Sequence, residues 1–591
     1  MGPSTLASNQ VHEEKYRGEN EPFREAMNRI AASLQDSHPH FQSFRDALLH
    51  MRFMPAGRIQ AAMGSLKSIT PYNCFVSATI HDSFTDGPTE EEIAYLEAGI
   101  HPSVSIMDSA KYAAITMRQG GGIGYDFSTL RPSGDLIKGV QSTTDGPLAF
   151  APIHDAVCKA TSSAGNRRGA QMLVMRVDHP DIEKFIRAKQ TEDNVPYEMR
   201  PLRGFNMSVG ITDKFMECLA SGKPFPLMFE GRVYREVDPH ALWEMIMRGT
   251  YDWAEPGVLF IDVINRMNNL YYCETIAATN PCGEQPLPPH GACLLGSFNI
   301  VKYLVKDDQG NYSIDYSLLA QDIPHVVRAM DNVVDRARYP LPQQRSEALN
   351  KRRMGLGVTG LANALEACGA PYGSLKFLEM QDILQGFITH HCYRASVELA
   401  KEKGPFPLFD AERYTAGEFI KTLDTDLQKD IQLYGIRNSH LTSIAPCGTI
   451  SFCADNVTSG VEPVIGYTQQ RRIIMPEGDM LVDVKDYGVA FLGTNGRRIT
   501  EVTPEEHVGV LITAQKHIDS AVSKTCNVPT NIEWNDFKNV YLNAYNGGAK
   551  GLTTYRPNGN YDEVIKSSDA QEGESCSFDP VTGARTGACA D

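Results

Sequence analysis

The chain has 591 residues, 42% of them hydrophobic and 22% charged, with a net charge of −16. The length exceeds the roughly 250–300 residues at which a single core usually stops growing, and the balance is that of a folded protein, not a disordered one. An acidic chain with no evident basic patch points away from nucleic acid, but phosphorylated small molecules remain, since backbone amides bind them without net positive charge. No apolar run reaches the ~18 residues of a membrane span, and the polar stretch Met1–Asn20 lacks a signal-peptide core. The 13 cysteines include no CxxC pair. They therefore read as reduced thiols of a cytoplasmic protein, and no metal site is expected.

In chain order, residues 20–52 predict a helix, with Phe23, Met27, Ile30 and Leu34 spaced on one face. Cys74, within Tyr72-Asn73-Cys74-Phe75-Val76, has the neighbours of a buried core residue. Gly120-Gly121-Gly122-Ile123-Gly124 reads as a flexible loop; no Gly-Lys-Ser/Thr follows, so it is not a Walker loop. Asn206–Ile211 alternates like a strand. Asn280-Pro281-Cys282-Gly283-Glu284-Gln285-Pro286-Leu287 is bounded by prolines and must be a loop. If extended, it would turn the amide of Asn280, the thiol of Cys282 and the carboxylate of Glu284 to one side, toward a substrate. The alternative is a buried loop cysteine beside a solvated glutamate. Cys293, eleven positions on, lies in an apolar, strand-like run and reads by itself as core.

His325–Tyr339 predicts a helix with Val326, Val327, Met330, Val333 and Val334 on one face. Gly355-Leu356-Gly357-Val358-Thr359-Gly360 has the spacing of a dinucleotide-binding loop. The residues before it, Asn350–Arg353, do not read as a buried strand, so close packing of a helix is the better account. A further helix spans Gln381–Lys403 and stops at Gly404-Pro405. Ser443–Ser451 is a turn of small residues whose amides could cradle a phosphate; a plain turn is the alternative. From Asn558 the sequence becomes polar and glycine-rich, as in a mobile tail. Strands alternating with helices favour an α/β fold.

Taken together and in this order, the segments resemble one family. Tyr72-Asn73-Cys74-Phe75, Gly120-Gly121-Gly122-x-Gly124, Phe127-Ser128-x-Leu130-Arg131-Pro132, Phe205–Val209, Asn280-x-Cys282-x-Glu284, Cys293, Ala445-Pro446-x-Gly448-Thr449-Ile450-Ser451 and Thr553-Thr554-Tyr555-Arg556-Pro557 are similar to a class II, adenosylcobalamin-dependent ribonucleotide reductase. The resemblance spans about residues 50–560. It implies a ten-stranded α/β barrel with a central finger loop, here residues 61–557, after a helical region at 1–60 and before a redox-active tail at 558–591.

The resemblance also implies the roles. Cys282 carries a thiyl radical, Glu284 is the general base on the 3′-OH, Asn280 bonds the sugar, and Cys74 with Cys293 is the reducing dithiol. Asn73, Ser208 and the turn Pro446, Cys447, Gly448, Thr449 and Ile450 bind substrate. Asp82, Ser83, Arg131, Arg167 and Arg168 bind a deoxynucleoside triphosphate effector; a solvated turn is the alternative for the last two. Cys576 and Cys589 are the tail thiols that pass electrons from thioredoxin or glutaredoxin, and the assembly is a homodimer without nucleic-acid or membrane partners. Two departures stand out: Cys447 replaces the usual threonine of the phosphate turn, and the tail cysteines are thirteen positions apart instead of close together.

The nearest rival is the large subunit of a class I reductase, which takes its radical from a partner subunit through a tyrosine pair; only Tyr555 is present in the matching segment. The glycyl-radical class would need a glycine motif and a zinc cysteine cluster, and neither is visible. The N-terminal stretch is short for an ATP-binding regulatory domain, so overall activity control by ATP and dATP is not expected. A nucleotide-binding regulator without activity would tolerate loss of Cys282, Glu284 or a redox cysteine, and all are present.

Overall fold

The computed structural model describes residues 2–86, 103–137, 139–161, 169–191, 199–473, 480–557 and 565–567. Ten strands make one mixed sheet: β1 (Phe53–Pro55), β2 (Cys74–Val76), β3 (Gly122–Asp126), β4 (Gln171–Arg176), β5 (Phe205–Ile211), β6 (Gly257–Phe260), β7 (Ala292–Asn299), β8 (Met354–Thr359), β9 (Thr525–Asn527) and β10 (Gly551–Tyr555). β2 to β6 lie side by side in parallel, β10 adds antiparallel to β6, and β9 runs parallel to β10. On the other flank, β7 pairs antiparallel with β2 and β1 along one edge and parallel with β8 along the other. Beyond β8, Leu356 bridges to Thr442 and Ile444 to Val522. Val522 leads directly into β9, so these irregular segments close the sheet into a barrel. Strands such as Met354–Thr359 and Ala292–Asn299 are buried at every position, as expected where both faces are covered.

A hairpin occupies the barrel. Ala278 and Thr279 pair with Leu287 and Pro286, and Ala278, Thr279, Gln285 and Leu287 are fully buried. The room for it comes from bare backbone on the surrounding strands. A Cβ on Gly124 would stand 1.8 Å from the Thr279 carbonyl oxygen, and one on Gly122 would stand 3.0 Å from the Pro281 ring. The run expected as a flexible loop at 120–124 is therefore largely β3 itself, with its glycines serving close approach. The Gly355–Gly360 run is β8 itself, and its last glycine caps the buried helix Leu361–Ala367 that follows. A Cβ on Gly357 would lie 2.3 Å from the Ser443 carbonyl oxygen, and one on Gly355 would lie 2.5 Å from Gln285 Nε2.

Helices cover the outside. α1 (Leu6–Tyr16), α2 (Phe23–Leu34) and α3 (His38–Leu49) form the N-terminal region. The single helix expected over 20–52 is broken because Ser37 caps α3, accepting from His40 N, with Pro39 in the first turn. The stripe Met27, Ile30 and Leu34 is buried as its spacing requires. α4 (Tyr316–Arg336) runs through Pro324 and so begins earlier than the expected His325. α5 (Leu375–Lys403) ends at Gly404 as read. Inside the segment expected as a tail, Ile565–Ser567 pairs with Arg471–Gln469 beside the barrel. Among the described residues, no helix is long and apolar enough to cross a membrane.

Gly124→Ala forces a methyl group into the Thr279 carbonyl, which is backbone and cannot rotate away. It is expected to cost about 3 kcal/mol or to expel the hairpin, read as a loss of denaturation midpoint. A fully stable variant would mean the hairpin does not sit against β3.

Candidate active site

The hairpin tip is built from its own hydrogen bonds. Asn280 N donates to Gln285 O (3.1 Å), Gln285 N to Asn280 Oδ1 (2.9 Å) and Gly283 N to Asn280 O (3.1 Å). The barrel wall then grips it. Asn206 Nδ2 on β5 donates to Pro281 O (2.8 Å), while Ser443 Oγ and Ala521 N both donate to Glu284 O, each at 3.0 Å. The tip is a turn and not an extended strand, but it still brings the three side chains together, since Cys282 as well as Glu284 acts on the Cys74 thiol. Asn280 and Glu284 meet on the same neighbour, and Cys282 sits half-buried at the apex between them. Among the described residues, nothing lies within 4 Å of where a Cβ on Gly283 (φ +83°) would stand, so no described residue covers the apex there.

The shared neighbour is Cys74 on β2. Asn280 Nδ2 lies 3.2 Å from its sulfur, and Glu284 Oε1 lies 3.7 Å from it. Across the ladder, Cys293 on β7 is the direct partner of Cys74. Val76 N donates to Gly291 O two positions along (3.0 Å), which holds the two strands in register beside the cysteines. Direct antiparallel partners hold their Cα atoms about 4.5–5.5 Å apart, within disulfide reach. Both thiols are free. Burial raises the Cys74 thiol well above its ordinary range, helped by the Glu284 carboxylate, Cys293 and Cys282. Burial also raises Cys293, against the opposing pull of Arg353. Arg353 precedes Met354, the partner of Leu294, and so stands beside Cys293. It is neutralised in a buried box with Glu274, Glu347 and Lys351, in which Lys351 lies 2.9 Å from Glu274 and 2.7 Å from Glu347.

The predicted substrate residues border this group. Asn73 Oδ1 is buried without a hydrogen-bond partner. Ser208 lies on β5 two residues from Asn206, hence on the face that reaches the hairpin. The turn at 445–447 leads into a short helix, Gly448–Cys453. Ala445 packs with Cys74, Ala56 and Leu295, which brings the turn and the dithiol together. Cys447 adopts φ +58°, and its sulfur lies 2.9 Å from Ser297 Oγ on β7.

The predicted effector residues lie elsewhere. Arg131 Nε is 2.5 Å from Asp82 Oδ2, and Arg131 Nη1 also donates to Leu136 O (2.8 Å). Ser83 Oγ turns to Asp86 (3.1 Å). Arg167, Arg168, Cys576 and Cys589 lie outside the described residues. Sequence reasoning passed over Asn206, Ser443 and Ala521, which hold the tip. Only Asn206 carried a signal: an amide near the start of a largely buried strand needs a partner. Among the described residues, no group of three or more His, Cys, Asp or Glu is arranged to hold a metal ion.

Residues 99–489 and 497–555 match the ribonucleotide reductase barrel-domain family. The chain is 32% identical over 496 residues to a vitamin B12-dependent ribonucleoside-diphosphate reductase of Mycobacterium tuberculosis, covering 78% of this chain and 67% of that protein. It is 31% identical over 497 residues to one of Thermoplasma acidophilum, covering 79% and 61% respectively. A ribonucleoside-diphosphate reductase subunit alpha of Chlamydia pneumoniae is 26% identical over 527 residues, covering 75% and 49%. The chain thus spans between half and two thirds of the length of these relatives.

Because the thiolate is the nucleophile, the raised Cys74 and Cys293 thiols should resist alkylation. At pH 8, iodoacetamide should leave both unmodified in the folded protein and label both after unfolding, as read by peptide mass spectrometry. Labelling of either in the folded state at the rate of a free cysteine would contradict the burial described here.

Proposed function

The chain belongs to the ribonucleotide reductase family, and on that footing we propose that it reduces ribonucleotides to 2′-deoxyribonucleotides by thiyl-radical chemistry at Cys282, in the manner of the adenosylcobalamin-dependent class. The observation that carries this reading is the meeting, inside the barrel, of the Asn280–Cys282–Glu284 tip with the cross-strand pair Cys74 and Cys293. In this reading the Cys282 thiyl takes the hydrogen from C3′. Glu284 accepts the 3′-OH proton, a task suited to a carboxylate held at the site. Asn280 orients the sugar. The 2′-hydroxyl leaves as water, Cys74 and Cys293 supply two hydrogens and close to a disulfide, and Cys282 returns the hydrogen to C3′. The balance is one ribonucleotide and two thiols giving one deoxyribonucleotide, one disulfide and water. Buried Asn280 and Glu284 flank the half-buried Cys282 and limit solvent around it.

The space that the described residues leave beside Gly283 at the Cys282 apex fits a bulky group approaching the thiol from that side. Bound there, adenosylcobalamin would supply a radical by homolysis of its cobalt–carbon bond. The unpartnered Asn73 amide oxygen, Ser208 and the backbone of Pro446, Cys447, Gly448, Thr449 and Ile450 form the substrate subsite, with the turn taking the phosphates. Asp82, Ser83 and Arg131, joined by Arg167 and Arg168, receive a deoxynucleoside triphosphate effector between copies of a homodimer; Arg131 must then leave Asp82. Cys576 and Cys589 shuttle electrons from thioredoxin or glutaredoxin to the Cys74–Cys293 disulfide.

The purified chain should reduce cytidine di- or triphosphate with adenosylcobalamin and dithiothreitol alone. Activity that appears only with a di-metal partner subunit would support the class I alternative. Cys282→Ser should remove turnover while shifting nucleotide affinity less than about twofold, because the change acts on the chemical step and not on ground-state binding. Residual normal turnover in that variant would remove Cys282 from the radical role.

A further inference from the structure

We propose that the contact between Ser297 and Cys447 is a pin that holds the turn at 445–450 in its substrate-binding shape, which makes Ser297 a positioning residue for nucleotide phosphate. This rests on the reading of that turn as the phosphate subsite. Ser297 lies on β7, four residues beyond Cys293, and its side chain is buried. Neither the motif comparison nor the predicted site residues include it.

The turn needs a holding force. Cys447 carries a β-carbon yet sits at φ +58°, a left-handed conformation that costs on the order of 1 kcal/mol or more and persists only when surroundings over-determine it. The surroundings supply three restraints. Cys447 Sγ meets Ser297 Oγ at 2.9 Å. The Gly460 backbone N–H also faces the sulfur, and burial pushes the thiol up to about 12, so it stays protonated and can donate to the serine oxygen. From below, bare Gly357 on β8 lets Ser443 run close over the strand, since a Cβ there would stand 2.3 Å from the Ser443 carbonyl. The far end of the short helix is secured separately, by Ser8 Oγ donating to Phe452 O (2.7 Å) and by Ser4 N and Thr5 N donating to Asp455 Oδ1 (2.7 and 2.9 Å). What remains for Ser297 is the near end, where the turn faces the site.

The pairing also explains why a thiol works where a hydroxyl is usual. Sulfur reaches across to β7 without bringing a charge near the phosphate, and a serine at 447 keeps a donor and acceptor at the same position. The strand that carries one redox thiol thereby also anchors the phosphate turn.

The test uses the full chain, reduced with dithiothreitol and without cofactor. Calorimetric titration reads binding of cytidine diphosphate, and ligand-observed NMR reads binding of cytidine. Ser297→Ala and Cys447→Ala are each expected to weaken the diphosphate about threefold to tenfold, the range of one hydrogen bond. The double variant should lose no more than either single one, because both remove the same contact. Cytidine binding should stay unmoved, and Cys447→Ser should retain most of the diphosphate affinity. Full diphosphate affinity in Ser297→Ala, additive losses, or equal loss for cytidine would each overturn the pin. If one alanine variant fails to fold, the other carries the same comparison against Cys447→Ser. Wild-type protein that binds cytidine as tightly as the diphosphate would instead overturn the phosphate-turn reading itself, and that outcome is visible before any variant is made.

Discussion

Everything at this site depends on placing a polar hairpin in the middle of a closed sheet. An eight-stranded barrel is filled by its own side chains; more strands leave a lumen, and here ten strands enclose one. A loop in such a lumen is tolerable only if its backbone groups find partners, since each orphaned one costs as much as a lost hydrogen bond. The tip meets this demand locally, through Asn280, Gly283 and Gln285, and at the wall, through Asn206, Ser443 and Ala521. The same bonds that make burial affordable also fix Cys282, Asn280 and Glu284 in position. Stability and placement of the reactive groups are one arrangement.

The dithiol obeys a related logic. Burial keeps Cys74 and Cys293 protonated, and hydrogen-donating chemistry needs S–H groups. A thiolate is wanted only during disulfide exchange. The carboxylate near Cys74 strengthens that protonation, while Arg353 beside Cys293 is balanced by Glu274 and Glu347 and so adds little free positive charge. Buried ion pairs of this kind seldom contribute much net stability. Their closer role here is to fill the barrel wall behind β7 without leaving a charge unpaired.

Much of this could be read from the chain. The tip at 280–287 and the turn at 443–451 stood out because prolines, glycines and small residues mark them, whereas Cys74 and Cys293 read as core residues and were singled out only by the family resemblance. The helices at Phe23–Leu34 and Leu375–Lys403 follow from periodicity and a glycine stop. Three things were not legible, for physical reasons. A glycine in a strand and a glycine in a loop look alike until the partner that needs the space is known, so Gly122, Gly124, Gly355 and Gly357 were misplaced. The tip's geometry came from a Gly283 turn, where the sequence suggested an extended loop. Ser443 and Ala521 act largely through contacts between distant segments, and one chain carries no trace of such contacts.

The ladder between β2 and β7 has a consequence for how the gene can change. Its register is set by short pairings: Val76 N to Gly291 O, His290 N to Ser77 O, and on the far side Gly122 N to Asn73 O. A slip of one residue turns every side chain to the other face of a sheet. A codon gained or lost beside either cysteine would therefore set Cys74 opposite Ala292 or Leu294, and would part the two thiols without removing either. Loops outside the barrel carry no such register and tolerate a change of length, while these two stretches hold the thiols together only at their present length.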